Sequence, residues 1–257
     1  MIFKSRLPAL PYIVWAAAFT LIPLFMVGYF AFTGSGGEFT LVNISDVAKF
    51  GPVFVRSVIL GLIATAICLV LAYPFAFMMS RLGGGAQKIM MMLLMLPMWM
   101  NFILRTYALM TLLEKLQVIN TGGAVVCGMV YNYLPFMILP IHSVIIKIDQ
   151  SVIEAAQDLG ASSSKVFLKV IFPLSLPGVI SGVTMVFVPS ISTFIISRLL
   201  GGSTTLLLGD LIEMQFLGAA YNPHLGAAVS LVMMIVVVLC MTIMNRFGEG
   251  EEQAVIM

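Results

Sequence analysis

Glu154-Ala155-Ala156-Gln157-Asp158-Leu159-Gly160, with Val170-Ile171-Phe172-Pro173 beginning ten residues beyond Gly160, is a short polar segment set between two long apolar ones. Its surroundings make it stand out. Of the 257 residues, 61% are hydrophobic and 9% are charged, and the mean hydropathy is +1.10. Uncharged runs of about 18 or more mostly apolar residues are long enough to cross about 30 Å of hydrocarbon as helices. The chain is built almost entirely of such runs, which excludes an ordinary soluble domain and predicts an all-α membrane protein.

Six spans are expected. The first lies in the uncharged run 7–37, with 12–32 as its core, and the second covers 57–80. The third starts after Lys88 and reaches about residue 113, the fourth lies within 116–146, the fifth covers 170–197 and the sixth about 226–244. Pro97 and Pro135 are expected to kink their helices rather than end them. Six spans put both termini on one side, and the bias of short loops towards Lys and Arg says which. Lys4, Arg6, Arg81, Lys88, Lys147, Lys165, Lys169 and Arg246 share the side of the termini, against Lys49, Arg56, Arg105, Lys115 and Arg198, so the termini and the Glu154 segment are expected in the cytoplasm. Lys4 and Arg6 before an apolar run imitate a secretory signal, but the run is too long and no A-x-A-like site follows it, so it reads as an uncleaved span. Cys68, Cys127 and Cys240 fall in separate spans without metal-ligand spacing and read as buried small hydrophobes.

Ser151-Val152-Ile153-Glu154 has the S-x-x-E pattern of a capping box, which predicts a helix starting at Ser151, and Gly160 suits a left-handed stop. Two turns are marginal alone in water, so this helix needs something to pack against. Ala155 and Ala156 allow close approach, while Glu154 and Asp158, one turn apart, place two carboxylates on one face.

The pattern E-A-A-x3-G, nine residues, then V-x-F-P close to I-x-L-P resembles the EAA motif of permease subunits in binding-protein-dependent ABC importers. Val170 and Phe172 stand where Ile and Leu are usual. The resemblance extends over about 57–244 and is similar to the PotB-type branch serving spermidine/putrescine importers. It is carried by Leu71-Ala72-Tyr73-Pro74-Phe75-Ala76, by Leu96-Pro97-Met98-Trp99-Met100-Asn101-Phe102-Ile103-Leu104-Arg105-Thr106-Tyr107, and by Leu134-Pro135-Phe136-Met137-Ile138-Leu139-Pro140, with Gly201-Gly202 and Gln215-Phe216-Leu217 continuing it.

The resemblance implies a type I (MetI-like) permease fold. Residues 1–56 would form a first transmembrane helix and extracytoplasmic loop, 57–246 a five-helix core with a coupling helix at about 151–165, and 247–257 a cytoplasmic tail. It implies that Ser151, Glu154, Ala155, Ala156, Asp158 and Gly160 contact a cytoplasmic ATPase. The implied setting is a bacterial inner membrane, with a PotC-type second permease, two PotA-type ATPases and a PotD-type extracytoplasmic polyamine-binding protein as partners. ATP and Mg would reside on the ATPases and no cofactor on this chain. In keeping with that, no G-x-x-x-x-G-K-[ST] occurs; Gly83-Gly84-Gly85-Ala86-Gln87-Lys88 lacks the spacing and the hydroxyl. No nucleic acid partner is expected.

A path for elongated polycations calls for carboxylates and aromatic faces. Trp99, Asn101, Tyr107, Tyr131, Asn132 and Tyr133 are candidates to line it, the alternative being interfacial anchors. Ser190, Ser192, Thr193 and Ser197 surround Pro189, where hydroxyls either hydrate a cation or bond back to the kinked backbone. Asp210 and Glu213, three apart, form either an acidic vestibule or the solvated face of an interfacial helix. His224 reads as a loop residue. Arg105 is expected near an outer helix end, its stem snorkelling to water. Arg198 stands where PotB-type members can carry an acid, which moves cation recognition towards the partner permease and the binding protein. Import of another small solute, such as a metal ion or thiamine, is the alternative within transport. An intramembrane enzyme or a channel is the remoter one, against which stand the missing H-E-x-x-H, Ser–His dyad and acidic rings.

Overall fold

The computed structural model describes residues 10–202, 204–218 and 220–255. Lys4 and Arg6, assigned above to the side of the termini, lie outside the described residues, as do the last two residues of the tail. The helices are α1 (Leu10–Ala16), α2 (Ile22–Ala31), α3 (Val42–Val47), α4 (Gly51–Ser80), α5 (Gly84–Trp99), α6 (Phe102–Lys115), α7 (Gly122–Ile145), α8 (Gln150–Asp158), α9 (Ser163–Val166), α10 (Phe172–Ser192), α11 (Leu208–Leu217) and α12 (Pro223–Val255). Among the described residues, five continuous helical stretches are long and apolar enough to cross a membrane: Pro11–Ala31, Val42–Ser80, Gly122–Ile145, Ser163–Ser192 and Pro223–Met244. The pair α5 and α6 makes a sixth if it counts as one broken span.

That pair corrects the expectation at Pro97. The third segment is not a kinked helix but two helices bent by 91°. Pro135 and Pro140, by contrast, sit inside an unbroken α7. The difference lies downstream of the proline. Met100 is extended, and Asn101 offers its side-chain oxygen to the N–H groups of Ile103 and Leu104, at 2.9 and 3.3 Å, as the N-cap of a new helix. A competing cap turns a kink into a break.

The chain divides into two compact units. One comprises residues 1–52 and 211–236. In it, the turn after α2 closes through an isolated bridge between Thr33 and Phe39, and the Asn43 amide donates to the carbonyls of Ala31 and Thr33. His224 is not a loop residue but lies in the first turn of α12, its ring nitrogen 3.2 Å from the Phe30 carbonyl.

The other unit, residues 53–210 and 237–257, holds the main core, built on α7 and α10. Gly178 and Gly182, one turn apart, face α7 so closely that a Cβ on Gly178 would lie 2.8 Å from the Pro140 carbonyl oxygen and 3.1 Å from the Ile141 Cα. Small residues at helical spacing allow this backbone approach, which in hydrocarbon supplies dispersion contact that water exclusion cannot. Cys68 is buried in the core, but Cys127 is exposed and Cys240 partly so, which corrects the expectation that all three are interior.

Candidate functional site

The polar segment folds as α8, and its start differs from the capping box. Asp149, not Ser151, is the N-cap, its carboxylate accepting the Ser151 N–H at 3.0 Å. Ser151 lies in the first turn, where its amide is satisfied by this carboxylate. A carboxylate opposite the positive end of a helix is the better acceptor of the two, which is why the helix begins earlier. The same hydrogen bond holds the exposed Asp149 carboxyl below its ordinary range.

The stop is as read. Gly160 has φ +80°, its N–H donates to the Gln157 carbonyl at 2.8 Å, and the Ala161 N–H reaches the Ala156 carbonyl at 3.1 Å. These are the two bonds of a Schellman motif, which needs a left-handed residue after the helix. The chain then reverses and re-enters a helix at Ser163, so the polar helix proper is confined to Gln150–Asp158.

Ile153 alone on α8 is buried, and Ala156 is half-buried beside it. Both pack on a small cluster of Val166 and Ile171 with Phe77, Ile148, Ala161 and Val170. Glu154, Ala155, Asp158 and Gly160 face outward, as do Val152 and Leu159, the latter 90% exposed. The outward face thus joins two acids to a shallow apolar strip. Beside α8 lies a cleft of about 680 Å³, lined by Ile153 and Gln157 of α8 together with Phe77, Arg81, Ser163 and Phe167.

Val170-Ile171-Phe172-Pro173 forms the support of α8. Residues Phe167–Ile171 make a π-helical turn, in which the Phe172 N–H reaches five residues back to the Phe167 carbonyl. Pro173, with no N–H to offer, follows immediately, so the ordinary ladder cannot continue here and the turn widens.

The candidate path residues divide into groups. Tyr133 and Thr193 are both buried, and Thr193 and Arg105 lie close enough to act on the Tyr133 hydroxyl. Arg105 overturns its expected snorkelling. It is 6% exposed, donates from Nη1 to the Pro97 carbonyl at 2.8 Å and stacks over the half-exposed Tyr131 with 5.6 Å to the ring centroid. The break after Trp99 leaves helix-end carbonyls without intrahelical donors, and a guanidinium one turn into α6 is placed to satisfy one of them. Asn132 is buried, its amide donating to the Gly128 carbonyl, while its Oδ1 finds no partner among the described residues.

Trp99 lies apart from this group, in an apolar cleft of about 450 Å³ lined by Met91, Met92, Met95 and a Gln87–His142 hydrogen bond of 2.8 Å. Asn101 is spent on capping α6, and Tyr107 is half-exposed on it. Ser190, Ser192 and Ser197 donate to the carbonyls of Val186, Val188 and Phe194, so of the two readings these hydroxyls take the backbone one.

Asp210 fits neither reading offered for it. It is 7% exposed, and its Oδ2 accepts the Leu207 N–H at 2.9 Å while the Ser57 hydroxyl accepts that of Leu208, so both serve the buried start of α11. Its neighbour Gly209 abuts the end of α10, where a Cβ would lie 2.5 Å from the carbonyl oxygens of Ser192 and Thr193. Glu213, one turn on, is half-buried, and Arg198 is exposed.

Sequence reading assigned no role to Tyr73, Phe77 or Phe167. Their rings meet edge-to-face beneath α8, Tyr73 to Phe167 at 5.7 Å and Phe77 to Phe167 at 5.2 Å between centroids. The aromatic residues of Leu71-Ala72-Tyr73-Pro74-Phe75-Ala76 were the available signal, but nothing in the string names their partner.

Comparison with known proteins agrees with this architecture. Residues 68–249 match the family model for the binding-protein-dependent transport system inner membrane component. The chain is 35% identical to the spermidine/putrescine transport system permease protein PotB of Haemophilus influenzae, over 91% of each chain. It is 34% identical to the Escherichia coli K12 protein of the same name, over 90% of this chain and 93% of that one. Among solved structures, a bacterial ABC transporter involved in alginate import superposes with a TM-score of 0.69 at 15% identity, covering 93% of both chains. The MetNI methionine transporter in an inward-facing conformation gives 0.63 at 16%, covering 79% of this chain and 95% of that one. These likenesses show the type I importer fold. The chain therefore belongs to the binding-protein-dependent transport system inner membrane components, as a multi-pass permease subunit of an ABC importer.

Proposed function

We propose that this permease forms one half of the translocation pore of an ATP-driven importer of polyamines such as spermidine and putrescine. Both termini and α8 face the cytoplasm. A PotC-type permease completes the pore, two PotA-type ATPases bind ATP and Mg, and a PotD-type protein delivers the cargo from outside. The cargo rests on the names of the relatives that cover nine-tenths of the chain. The coupling role rests on one observation of the fold: α8 is anchored inward by Ile153 and turns Glu154, Ala155, Asp158 and Leu159 outward. Such a face, small at its centre and acidic at its edges, suits insertion into a partner's cleft.

In this reading, closure of the ATPases on ATP moves α8 and opens the pore outward, and hydrolysis resets it. Only a contact whose free energy differs between the two states can shift them, so the helix must stay engaged in both. Of the path candidates, Tyr131, Tyr133 and Thr193 remain grouped and offer aromatic and hydroxyl contacts to an ammonium chain; Arg105 beside them repels it, so this wall passes a cation without holding it tightly.

The test is reconstitution of the four-protein complex in liposomes. Spermidine-loaded binding protein should stimulate ATP hydrolysis and uptake, and Glu154→Lys should abolish both while the complex still assembles. Lack of stimulation by spermidine and putrescine would overturn the cargo; normal uptake by Glu154→Lys would overturn the coupling role.

A further inference from the structure

The attachment of α8 to the membrane helices is narrow. Ile153 is its one buried residue, with the half-buried Ala156 beside it, and a cleft of about 680 Å³ opens next to them, lined by Ile153 and Gln157 of α8. What Ile153 does reach is an aromatic group drawn from two distant parts of the chain. Phe77, near the end of α4, packs on the same cluster as Ile153. Its ring meets Phe167 edge-to-face, Phe167 meets Tyr73 at 88°, and Tyr73 in turn lies 5.6 Å from Phe172.

The group is fastened at its inner end. The Ser175 hydroxyl donates to the Phe172 carbonyl at 2.8 Å, so the 2.7 Å contact between Tyr73 and Ser175 is the tyrosine hydroxyl donating to the serine oxygen. This buried bond joins α4 to α10. Phe167 is at the same time the first residue of the π turn, whose wider ring displaces it from the ordinary helical position and presents it to both Tyr73 and Phe77.

We infer that Tyr73, Phe77 and Phe167 are the positioning residues that make the inner end of α4 move with α8, so that the stroke of the ATPases reaches α4 and α10 together through this aromatic joint. The inference rests on the reading of α8 as the coupling helix. Edge-to-face rings are held by their quadrupoles in a preferred geometry and stabilise a contact beyond the area they bury. A lever held at one point by such a group carries displacement into two helices at once. Beyond Ile153 and the half-buried Ala156, the side chains of α8 are exposed.

Two measurements on the reconstituted complex test this. Phe167→Ala should leave the ATPases bound and their basal rate unchanged, yet lower stimulation by spermidine-loaded binding protein about tenfold. Phe167→Tyr, whose added hydroxyl can reach into the cleft, should restore it. Loss of basal activity or of the ATPases themselves would assign Phe167 to mere folding, and full stimulation in Phe167→Ala would overturn the joint. The second measurement needs no disruptive variant. Spin labels at Leu82 and Gln157, in a cysteine-free background, should keep one separation between nucleotide-free and ATP-trapped states, since α4 follows α8. A separation that changes between states overturns the joint even if every variant misfolds. Glu154→Lys serves as the outer control: if it loses uptake while Phe167→Ala does not, only the joint is wrong, and if both transport normally, the coupling reading itself falls.

Discussion

Helix α10 meets α7 through backbone, with Gly178 and Gly182 against the carbonyl oxygens of Pro140 and Met137, whereas α8 meets its supports through the Ile153 side chain and a half-buried Ala156. Both regions depend on glycine, and for opposite reasons. In α10 the missing side chain permits contact. At Gly160 no atom lies within 4 Å of where a Cβ would stand, and what matters is the backbone angle of +80°. Under the proposed coupling role the first region is a fixed hub and the second a lever, and one substitution applied to each should separate them.

The largest effect is expected in the hub. Gly178→Ala puts a methyl 2.8 Å from a backbone oxygen and 3.1 Å from a Cα, neither of which can rotate away. It should cost about 1–3 kcal/mol by overpacking, lowering the Tm of the purified subunit and its abundance in the membrane. An unchanged Tm would show that α7 and α10 separate readily and are no hub. Gly160→Ala should instead leave Tm alone, because the helix it ends carries little of the core. The left-handed residue then costs about 1–2 kcal/mol locally, which frays the last turn of α8 and lowers uptake about fivefold or more. If Gly160→Ala lowered Tm as Gly178→Ala does, the contrast between hub and lever would disappear.

The smallest effect concerns pH. Asp149 titrates below the ordinary carboxylate range because its charged form accepts the Ser151 N–H. A depressed folded-state pKa adds stability that is present above the unfolded value of about 3.9 and is lost as pH falls through the folded one. Spin-label mobility at Gln157 should therefore be flat from pH 7 to about 4 and rise only below that, and Asp149→Asn, which cannot titrate, should remove the rise. A rise already at pH 6 would mean that another group controls the start of α8.

The membrane class, most of the spans and the Gly160 stop were legible because each depends on local chemistry: apolar run length, or a backbone angle that one residue type adopts easily. The start of α8 was misread because Asp149 and Ser151, two positions apart, both make acceptable caps, and the Asp149 carboxylate is the better acceptor at the positive end of a helix. Pro97 was misread for a related reason. Pro135 and Pro140 leave α7 whole, and what ends α5 is Asn101 capping the next helix and Arg105 accepting a buried place. The joint was invisible, since Tyr73 and Ser175 are 102 residues apart and no spacing rule links them. Asp210 carried the most misleading signal, an acid that looked solvated and is instead consumed by a buried helix start.

The right angle between α5 and α6 bears on the lipid as well. Sixteen residues give α5 a length of about 24 Å, and where α5 stands along the membrane normal a helix turned by 91° adds almost nothing to the crossing depth. The 30-residue α4 extends to about 45 Å and can tilt to fit a bilayer whose hydrocarbon is about 30 Å thick. In that orientation a short helix has no such freedom, and the acyl chains beside α5 would compress by several ångströms, at fractions of a kcal/mol per ångström. Bilayer thickness would then be part of the environment that sets the resting shape of this subunit, through a shortfall created by one proline, one asparagine and one arginine.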